Sequence, residues 1–342
     1  MKRKITALLL ITAVILSINI TASAETGLYD ACGYLKTTVT EPEFSSVGGE
    51  WSIIAQLRSG NAAFNDEYIT NYISKVTQYV KENEHNGILN DRASTDNSRL
   101  ILALSASGRD ASNFNGVDLV SPLTDINFVS SQGVNADAYA LIALDCKNYL
   151  PNSDIREKLI SDILKNELVS GGWNLDPKRR ADADITAMVL TALAPYYERD
   201  DVRKSVDKAL DTLSDIQLDN GGFMSWGTEN CESCATVIIA LSALGIDSKT
   251  DPRFVKADGN VYEAMMSFET GNGAFKHVRS KRANLMASEQ ASIALCAYER
   301  FINKTTSLYD YSDIIISTFC QSIVNIIKTI STFFDFLSKL TA

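Results

Sequence analysis

The stretch QLDNGGFMSWGTENCESCATVIIALSALG (217–245) joins a glycine-aromatic turn to an apolar helix of mostly small residues that ends on a glycine. A helix that is apolar almost all round is buried on most sides, and small side chains let its neighbours approach closely. Such a helix needs partners of the same kind. The rest of the chain supplies them, and their number and spacing determine the fold.

Five further segments repeat this helix at intervals of 40 to 54 residues, measured between equivalent alanines. Charged segments with a single apolar face lie between them, as is typical of outer amphipathic helices. An open solenoid would leave its terminal inner helices half exposed, so buried inner helices favour a closed ring. The sequence predicts an all-α protein, an α/α toroid over residues 48–303 with about six inner and five to six outer helices. The equivalent alanines are Ala55, Ala103, Ala143, Ala192, Ala240 and Ala294.

The segment QLDNGGF (217–223), followed by its apolar helix, resembles the prenyltransferase and squalene-oxidase repeat of the terpenoid-cyclase-like toroid superfamily. Weaker copies are SSQGVN (130–135), LVSGGWN (168–174) and GNGAFKH (271–277). The first and last inner segments are also similar to secreted bacterial surface proteins that carry this toroid. The resemblance implies the fold but not one function, because the superfamily includes cyclases, protein prenyltransferases, corrinoid carriers and thioester domains.

The two ends of the chain predict an exported protein. Residues 1–24 have a basic start, an apolar run and a small-residue cleavage site, as in a secretory signal peptide. Residues 25–47 form a lead-in segment without a strong period. The pattern of the tail, 304–342, predicts an amphipathic helix. Polar residues interrupt it too often for it to span a membrane. This tail is a candidate for a sixth outer helix or, through residues 313–340, for association with a membrane or a protein partner.

Charge and cysteine content exclude some functions. The net charge of −10 makes nucleic-acid binding improbable, because contacts to phosphates require clustered Lys and Arg. Cys231 and Cys234 have CxxC spacing at a helix start, which fits two incidental thiols or a disulfide. No second such pair completes a zinc site. We therefore expect no metal and no cofactor.

Asp182 and Asp184 match the first two acids of the DxDD signature by which class II terpenoid cyclases protonate an alkene, but Ile185 replaces the last acid. By this resemblance Asp184 would be the catalytic acid and Asp182 its partner. The alternative is that both carboxylates cap the N-terminus of an inner helix. The zinc site of the prenyltransferases lacks a ligand here, and the thioester motif lacks its cysteine.

Acids recur near the starts of successive inner helices, and we expect them to surround one mouth of the ring. Such carboxylates could cap helices, bind a cation or sugar hydroxyls, or hydrolyse a glycan as a pair. Basic and aromatic residues in the preceding loops would join them. The acids are Asp96, Asp137, Asp184, Glu232 and Glu289. The predicted ligand-binding residues are Trp173, Arg180, Trp226, Glu232, Arg279, Arg282 and Glu289.

The intact ring pattern beside incomplete catalytic signatures favours a non-catalytic function. The sequence predicts a secreted or cell-surface binding module for a small molecule, glycan or protein at the toroid mouth, similar at fold level to the corrinoid carriers. A terpenoid-cyclase-like enzyme with Asp184 as general acid is the alternative, so enzymatic activity is left open. A purely structural surface module is a third possibility.

Overall fold

In the computed structural model the described residues are 22–45 and 47–314. The expected signal peptide, apart from its last three residues, lies outside them, as do Cys320 and the tail beyond Ile314. Within the described part of the chain, no helix is both long enough and apolar enough to cross a membrane.

Twelve α-helices and two short hairpins make up the described structure. The hairpins pair β1 (Met224–Ser225) with β2 (Thr228–Glu229) and β3 (Val255–Lys256) with β4 (Gly259–Asn260). Single 3₁₀ turns occur at Ala111–Asn113, Ser121–Thr124 and Ala194–Tyr196. The helices are α1 (Ala22–Thr38), α2 (Glu50–Arg58), α3 (Glu67–Asn83), α4 (Ser94–Ala106), α5 (Ile126–Ser130), α6 (Val134–Asp145), α7 (Ile155–Lys165), α8 (Ala183–Leu193), α9 (Asp200–Ile216), α10 (Cys231–Ala243), α11 (Val261–Met266) and α12 (Leu285–Ile302).

The even-numbered helices form a closed inner ring. Each packs against the next, and α12 packs against α2. The odd-numbered helices lie outside, and α1 covers the junction between α12 and α2, the place of a sixth outer helix. The predicted all-α toroid is confirmed. The equivalent alanines are all buried.

The turn that leads into α10 shows why its sequence is Gln-Leu-Asp-Asn-Gly-Gly-Phe. Gly221 has φ +82, and a Cβ there would lie 2.3 Å from the carbonyl oxygen of Asn260. Only glycine fits that position. Gln217 Nε2 donates to the carbonyls of Gly221 and Phe254 at 2.9 and 3.0 Å. The turn is thereby fixed against the next unit, and Phe223 is buried behind it.

Two contacts join the first and last units of the ring. Glu289 of α12 accepts hydrogen bonds from the backbone N–H groups of Gly48 and Ser52, at 3.0 and 3.1 Å, and from the Ser52 hydroxyl. Residues 303–314, here called the strap, continue from α12 across the ends of the inner helices. The guanidinium of Arg58 donates to three strap carbonyls and pairs with Asp313.

Candidate functional site

The ring has two different openings. The N-terminal mouth is bordered by the first turns of the inner helices and by the loops before them. The C-terminal mouth is bordered by their last turns and by the strap. The lumen between them narrows to a cavity of about 20 Å³, and Tyr309 of the strap lies on its wall.

Residues facing the lumen share one register with the equivalent alanines. Those in the central cavity, Trp51, Tyr139, Met188, Thr236 and Gln290, each lie four residues before the alanine of their helix. Arg99 has the same position in α4. One further turn toward the N-terminal mouth, on the same helix face, are Thr95, Asn135, Asp184, Glu232 and Met286.

Arg99 and Tyr139 are two polar residues of the lumen wall. Arg99 Nη2 donates to the Ser45 hydroxyl at 2.8 Å and lies 3.6 Å from Glu50, while its buried Nε has no partner among the described residues. The Tyr139 ring is 5.6 Å from that of Trp51. Burial raises the pKa of Tyr139 to about 12, and the charge of Arg99 opposes that rise. The phenol therefore keeps its proton at neutral pH.

Asp182 and Asp184 are neighbours with different roles. Asp182 Oδ1 accepts from the N–H groups of Asp184 and Ile185, so it caps α8, and its Oδ2 accepts from the Ser225 hydroxyl at 2.9 Å. Asp184 Oδ1 is buried and accepts no well-formed hydrogen bond in the described structure, although the Ser233 hydroxyl lies near the carboxyl group. Burial raises the pKa of Asp184 to about 6, against the lowering effect of the Ser233 hydroxyl. Asp184 is thus a carboxyl group whose proton is exchanged near neutral pH.

Glu232 holds a histidine at the rim of the N-terminal mouth. Its Oε2 lies 2.9 Å from His277 Nδ1. The imidazole is half exposed, and a carboxylate on Nδ1 fixes its orientation and leaves Nε2 for another partner. Glu232 also adds to the negative charge that Asp184 experiences. The two carboxyl groups therefore belong to one electrostatic cluster.

The outer rim carries an exposed aromatic side chain. Trp226 is 78% exposed at the tip of the β1–β2 hairpin, where its φ is +52, and the Arg179 guanidinium lies 4.7 Å from its ring centroid. A bulky residue with positive φ at a turn that favours Asn or Gly is strained. Arg180 and Arg282 are exposed in the loops nearby.

Several of the predicted ligand-binding residues are instead used in packing. Trp173 is fully buried, and its Nε1 donates to the carbonyl of Ile163 at 2.8 Å. Arg279 stacks on Phe268 and pairs with Glu229. Glu289 is buried in the α12–α2 junction. Two of the five predicted acids, Asp137 and Glu289, therefore do not join the expected ring, because their side chains are out of the lumen register and are buried in the packed wall.

Asp137 shows the same effect of register. It is fully buried, and its Oδ1 accepts from the Ser130 hydroxyl at 2.6 Å. Burial raises its pKa to about 7, and Asp162 of the outer helix α7 adds to the rise. Its side chain therefore lies between the inner and outer layers. Asp96, by contrast, stays near the N-terminal mouth beside Arg99.

Four residues of the site were not predicted from the sequence: Arg99, Asn135, Tyr139 and His277. The first three could have been found from their distance to the equivalent alanines. His277 could not, since only the folded loop brings it to Glu232. Among the described residues no group of three His, Cys, Asp or Glu side chains could hold a metal ion. Cys231 and Cys234 are free and buried, and burial raises the pKa of Cys234 to about 12.

No protein-family model and no curated protein matches the chain. Among solved structures, the fold is similar to that of a polysaccharide lyase, with a TM-score of 0.57 and 12% sequence identity. The similarity covers 84% of this chain and 99% of that one. The sequence alone favoured a non-catalytic binding module. That prediction is corrected by this comparison, because the protein that shares the ring is a glycan-acting enzyme.

Proposed function

We propose that the chain is a glycan-acting enzyme that cleaves an acidic polysaccharide by elimination at its N-terminal mouth. The observation that carries the proposal is the cluster of buried polar atoms in the lumen register that lack a partner in the described structure: Arg99 Nε, Asn135 Oδ1 and Asp184 Oδ1. Buried polar atoms are ordinarily paired. Three unpaired ones at the mouth of a lumen indicate a polar ligand, and the shared fold with a polysaccharide lyase supports a glycan.

Local charge favours an acidic glycan although the chain as a whole is negative. The N-termini of the inner helices converge on this mouth, and each carries a partial positive charge. Loop residues 178–180, with Lys281 and Arg282, add exposed Lys and Arg side chains. The Trp226 indole with Arg179 offers a flat apolar surface beside a positive charge, which suits an outer sugar ring that bears a carboxylate.

Arg99 of this cluster, together with His277 at the rim and Tyr139 in the lumen, matches the requirements of elimination from a uronate. Arg99 would hold the sugar carboxylate, since a guanidinium binds it with two parallel hydrogen bonds. His277 Nε2 would remove the proton from the carbon next to the carboxylate. The electron pair left behind forms the new carbon–carbon double bond as the glycosidic oxygen leaves the adjacent carbon. Tyr139 would donate its proton to that oxygen.

Hydrolysis is a second candidate, because the pKa of about 6 at Asp184 suits a general acid. Glu232, its electrostatic neighbour on α10, would then be the second carboxylate of a glycosidase pair. The two reactions differ in their products. Elimination leaves an unsaturated uronate that absorbs in the ultraviolet, whereas hydrolysis leaves saturated products that are heavier by one water.

The test is to incubate the protein with uronate polysaccharides (alginate, pectate and hyaluronan) and with neutral glycans, and to follow ultraviolet absorbance and product mass. We expect unsaturated products from a uronate polymer, and a loss of at least a hundredfold in kcat for Tyr139→Phe. Tyr196→Phe, the same change at the C-terminal mouth, is the matched control and should keep its activity. Saturated products would select hydrolysis, and cleavage of no uronate polymer would overturn the proposal.

Export and family relationship extend this proposal. An extracellular polysaccharide would be accessible to a secreted chain, and the sequence of residues 1–24 supports secretion. The glycine-aromatic turns support a place in the terpenoid-cyclase-like toroid superfamily. Association with a membrane or protein partner through residues 313–340 stays a prediction, since nearly all of that segment lies beyond the described structure.

A further inference from the structure

A second cavity, of about 830 Å³, lies at the C-terminal mouth, separated from the lumen by Tyr309. Its size is within the range of small-molecule sites in proteins. The last turns of α6, α8, α10 and α12 line it together with the strap. Its apolar lining includes Ile142, Ala192, Pro195, Ile239, Ala297 and Phe301.

The strap wall is held by hydrogen bonds from two arginine side chains to backbone carbonyls. Arg58 is 4% exposed, and it donates to the carbonyls of Ser307, Leu308 and Asp310 at 2.9 to 3.0 Å. Arg300 binds the carbonyl of Thr306 at 2.8 Å. Two arginines of neighbouring inner helices thus fix a loop that would otherwise be free. The cavity is therefore preformed rather than a gap under a loose segment.

The polar groups of the lining show which ligands fit. Asp145 accepts from Arg156 Nε at 2.6 Å and from the Tyr196 hydroxyl at 2.8 Å, so its charge is compensated within the wall. Lys304 is exposed at the rim together with Asp310. The C-terminal ends of the inner helices, which carry partial negative charge, border the space. A carboxylate or phosphate is disfavoured here, and so is the acidic glycan proposed for the other mouth.

One buried hydroxyl in the wall lacks a partner. Ser242 is 9% exposed, and its Oγ makes no hydrogen bond within the described structure. The Thr191 hydroxyl, by contrast, donates to the carbonyl of Ala187 at 2.9 Å. Ser242 is a wall residue whose buried hydroxyl has capacity for a ligand hydroxyl.

We infer that the C-terminal cavity binds an uncharged amphiphile, a molecule with an apolar body and a hydroxyl group that pairs with Ser242. This site is independent of the glycan reaction. The apolar walls bury the body of the ligand. The hydroxyl satisfies Ser242, and the partial negative charge at the C-terminal ends of the inner helices disfavours anions.

The test is a fluorescence titration of the full chain with N-phenyl-1-naphthylamine, an uncharged apolar probe, followed by competition. We expect saturable binding, displaced by a long-chain alcohol at least ten times more effectively than by the carboxylic acid of the same length. Ala243→Phe, which fills the rim of the cavity, should abolish binding of the probe. Ala257→Phe, on the exposed turn of the β3–β4 hairpin, is the matched control and should not.

Ser242→Ala gives a second test with little risk to folding. It should weaken the alcohol about fivefold, the equivalent of one hydrogen bond, and leave a plain hydrocarbon of the same length unchanged. The inference is overturned if the wild-type chain shows no saturable binding, if Ala243→Phe binds as well as Ala257→Phe, or if the carboxylic acid competes as well as the alcohol.

Discussion

The two mouths of the ring are built from opposite ends of the same six helices, yet they use polar residues differently. At the C-terminal mouth, arginines satisfy helix-end carbonyls: Arg156 donates to the carbonyl of Leu144 at 2.6 Å, and Arg300 donates to that of Arg58 at 3.1 Å. At the N-terminal mouth, short cap residues such as Asn230 and Asn284 satisfy the helix N–H groups. Lumen residues such as Asp184 are therefore not needed to cap the helices. We therefore expect substitutions at the C-terminal mouth to lower stability and substitutions in the lumen register of the N-terminal mouth to lower turnover.

The largest stability effect is expected at the C-terminal mouth. Arg58→Met would take the guanidinium donor from three strap carbonyls and remove one of the two arginines that pair with Asp313. It should lower the free energy of unfolding by about 3 to 5 kcal/mol, as measured by urea denaturation. The matched change Arg180→Met, at an exposed position of the N-terminal mouth, should stay within about 0.5 kcal/mol. Equal losses of unfolding free energy in the two variants would contradict the proposed difference between the mouths.

An effect of opposite sign is expected at Asp184. Its pKa is raised from 3.8 to about 6 on folding, so the folded state prefers the proton and stability falls as the pH rises from about 4 to 6. Asp184→Asn avoids this loss. At pH 8 it should be more stable than the wild-type protein by about 1 to 2 kcal/mol, while its activity falls.

Glu289→Gln separates this stability effect from catalysis. Burial raises the pKa of Glu289 from 4.5 to about 7, so the same argument predicts a loss of wild-type stability between about pH 4.5 and 7. Both variants should therefore flatten the pH dependence of unfolding. Only Asp184→Asn should reduce turnover, because Glu289 lies in the helix junction. Unchanged turnover in Asp184→Asn would contradict its place in the site.

The smallest stability effect is expected at Trp226. Trp226→Ala removes an exposed ring from a strained turn, so the free energy of unfolding should change by less than about 0.5 kcal/mol. KM for a long uronate substrate should rise about tenfold, with kcat little changed, because the indole would contact an outer sugar ring. Trp226→Phe keeps an aromatic face and should recover most of the affinity. A change in kcat with KM unchanged would contradict a role of Trp226 in binding an outer sugar ring.

The fold was predictable because its determinants are local and repeated. Small apolar helices at nearly regular spacing can be buried together only in a closed ring. The site was predictable in part: Asp184 and Glu232 lie in the lumen register, and Trp226 lies at the exposed rim. Asp137 and Glu289 have the same residue types near the same helix starts, and only their register separates them. A first-turn acid is equally suited to capping, so residue type alone could not decide.

Trp173 and the strap illustrate two further limits. Trp173 follows a Gly-Gly pair, as Phe223 does, and both side chains are buried. The burial of Trp173 could therefore have been predicted from the alignment of the repeats. The strap has no period and no motif. Its role depends on Arg58, which is distant in sequence, and a contact of that kind leaves no local pattern.

The α12–α2 junction has a consequence for the order in which the protein folds. The hydrogen bond between Gly48 and Glu289 spans 241 residues, and the contact from Arg58 to Leu308 spans 250. Neither can form until almost the whole described chain is available, and such distant contacts are slow to form. The units in between can fold as local helix pairs before closure. During synthesis, therefore, the chain would pass through an open, curved array of helices, and the lumen with both its cavities would be completed last.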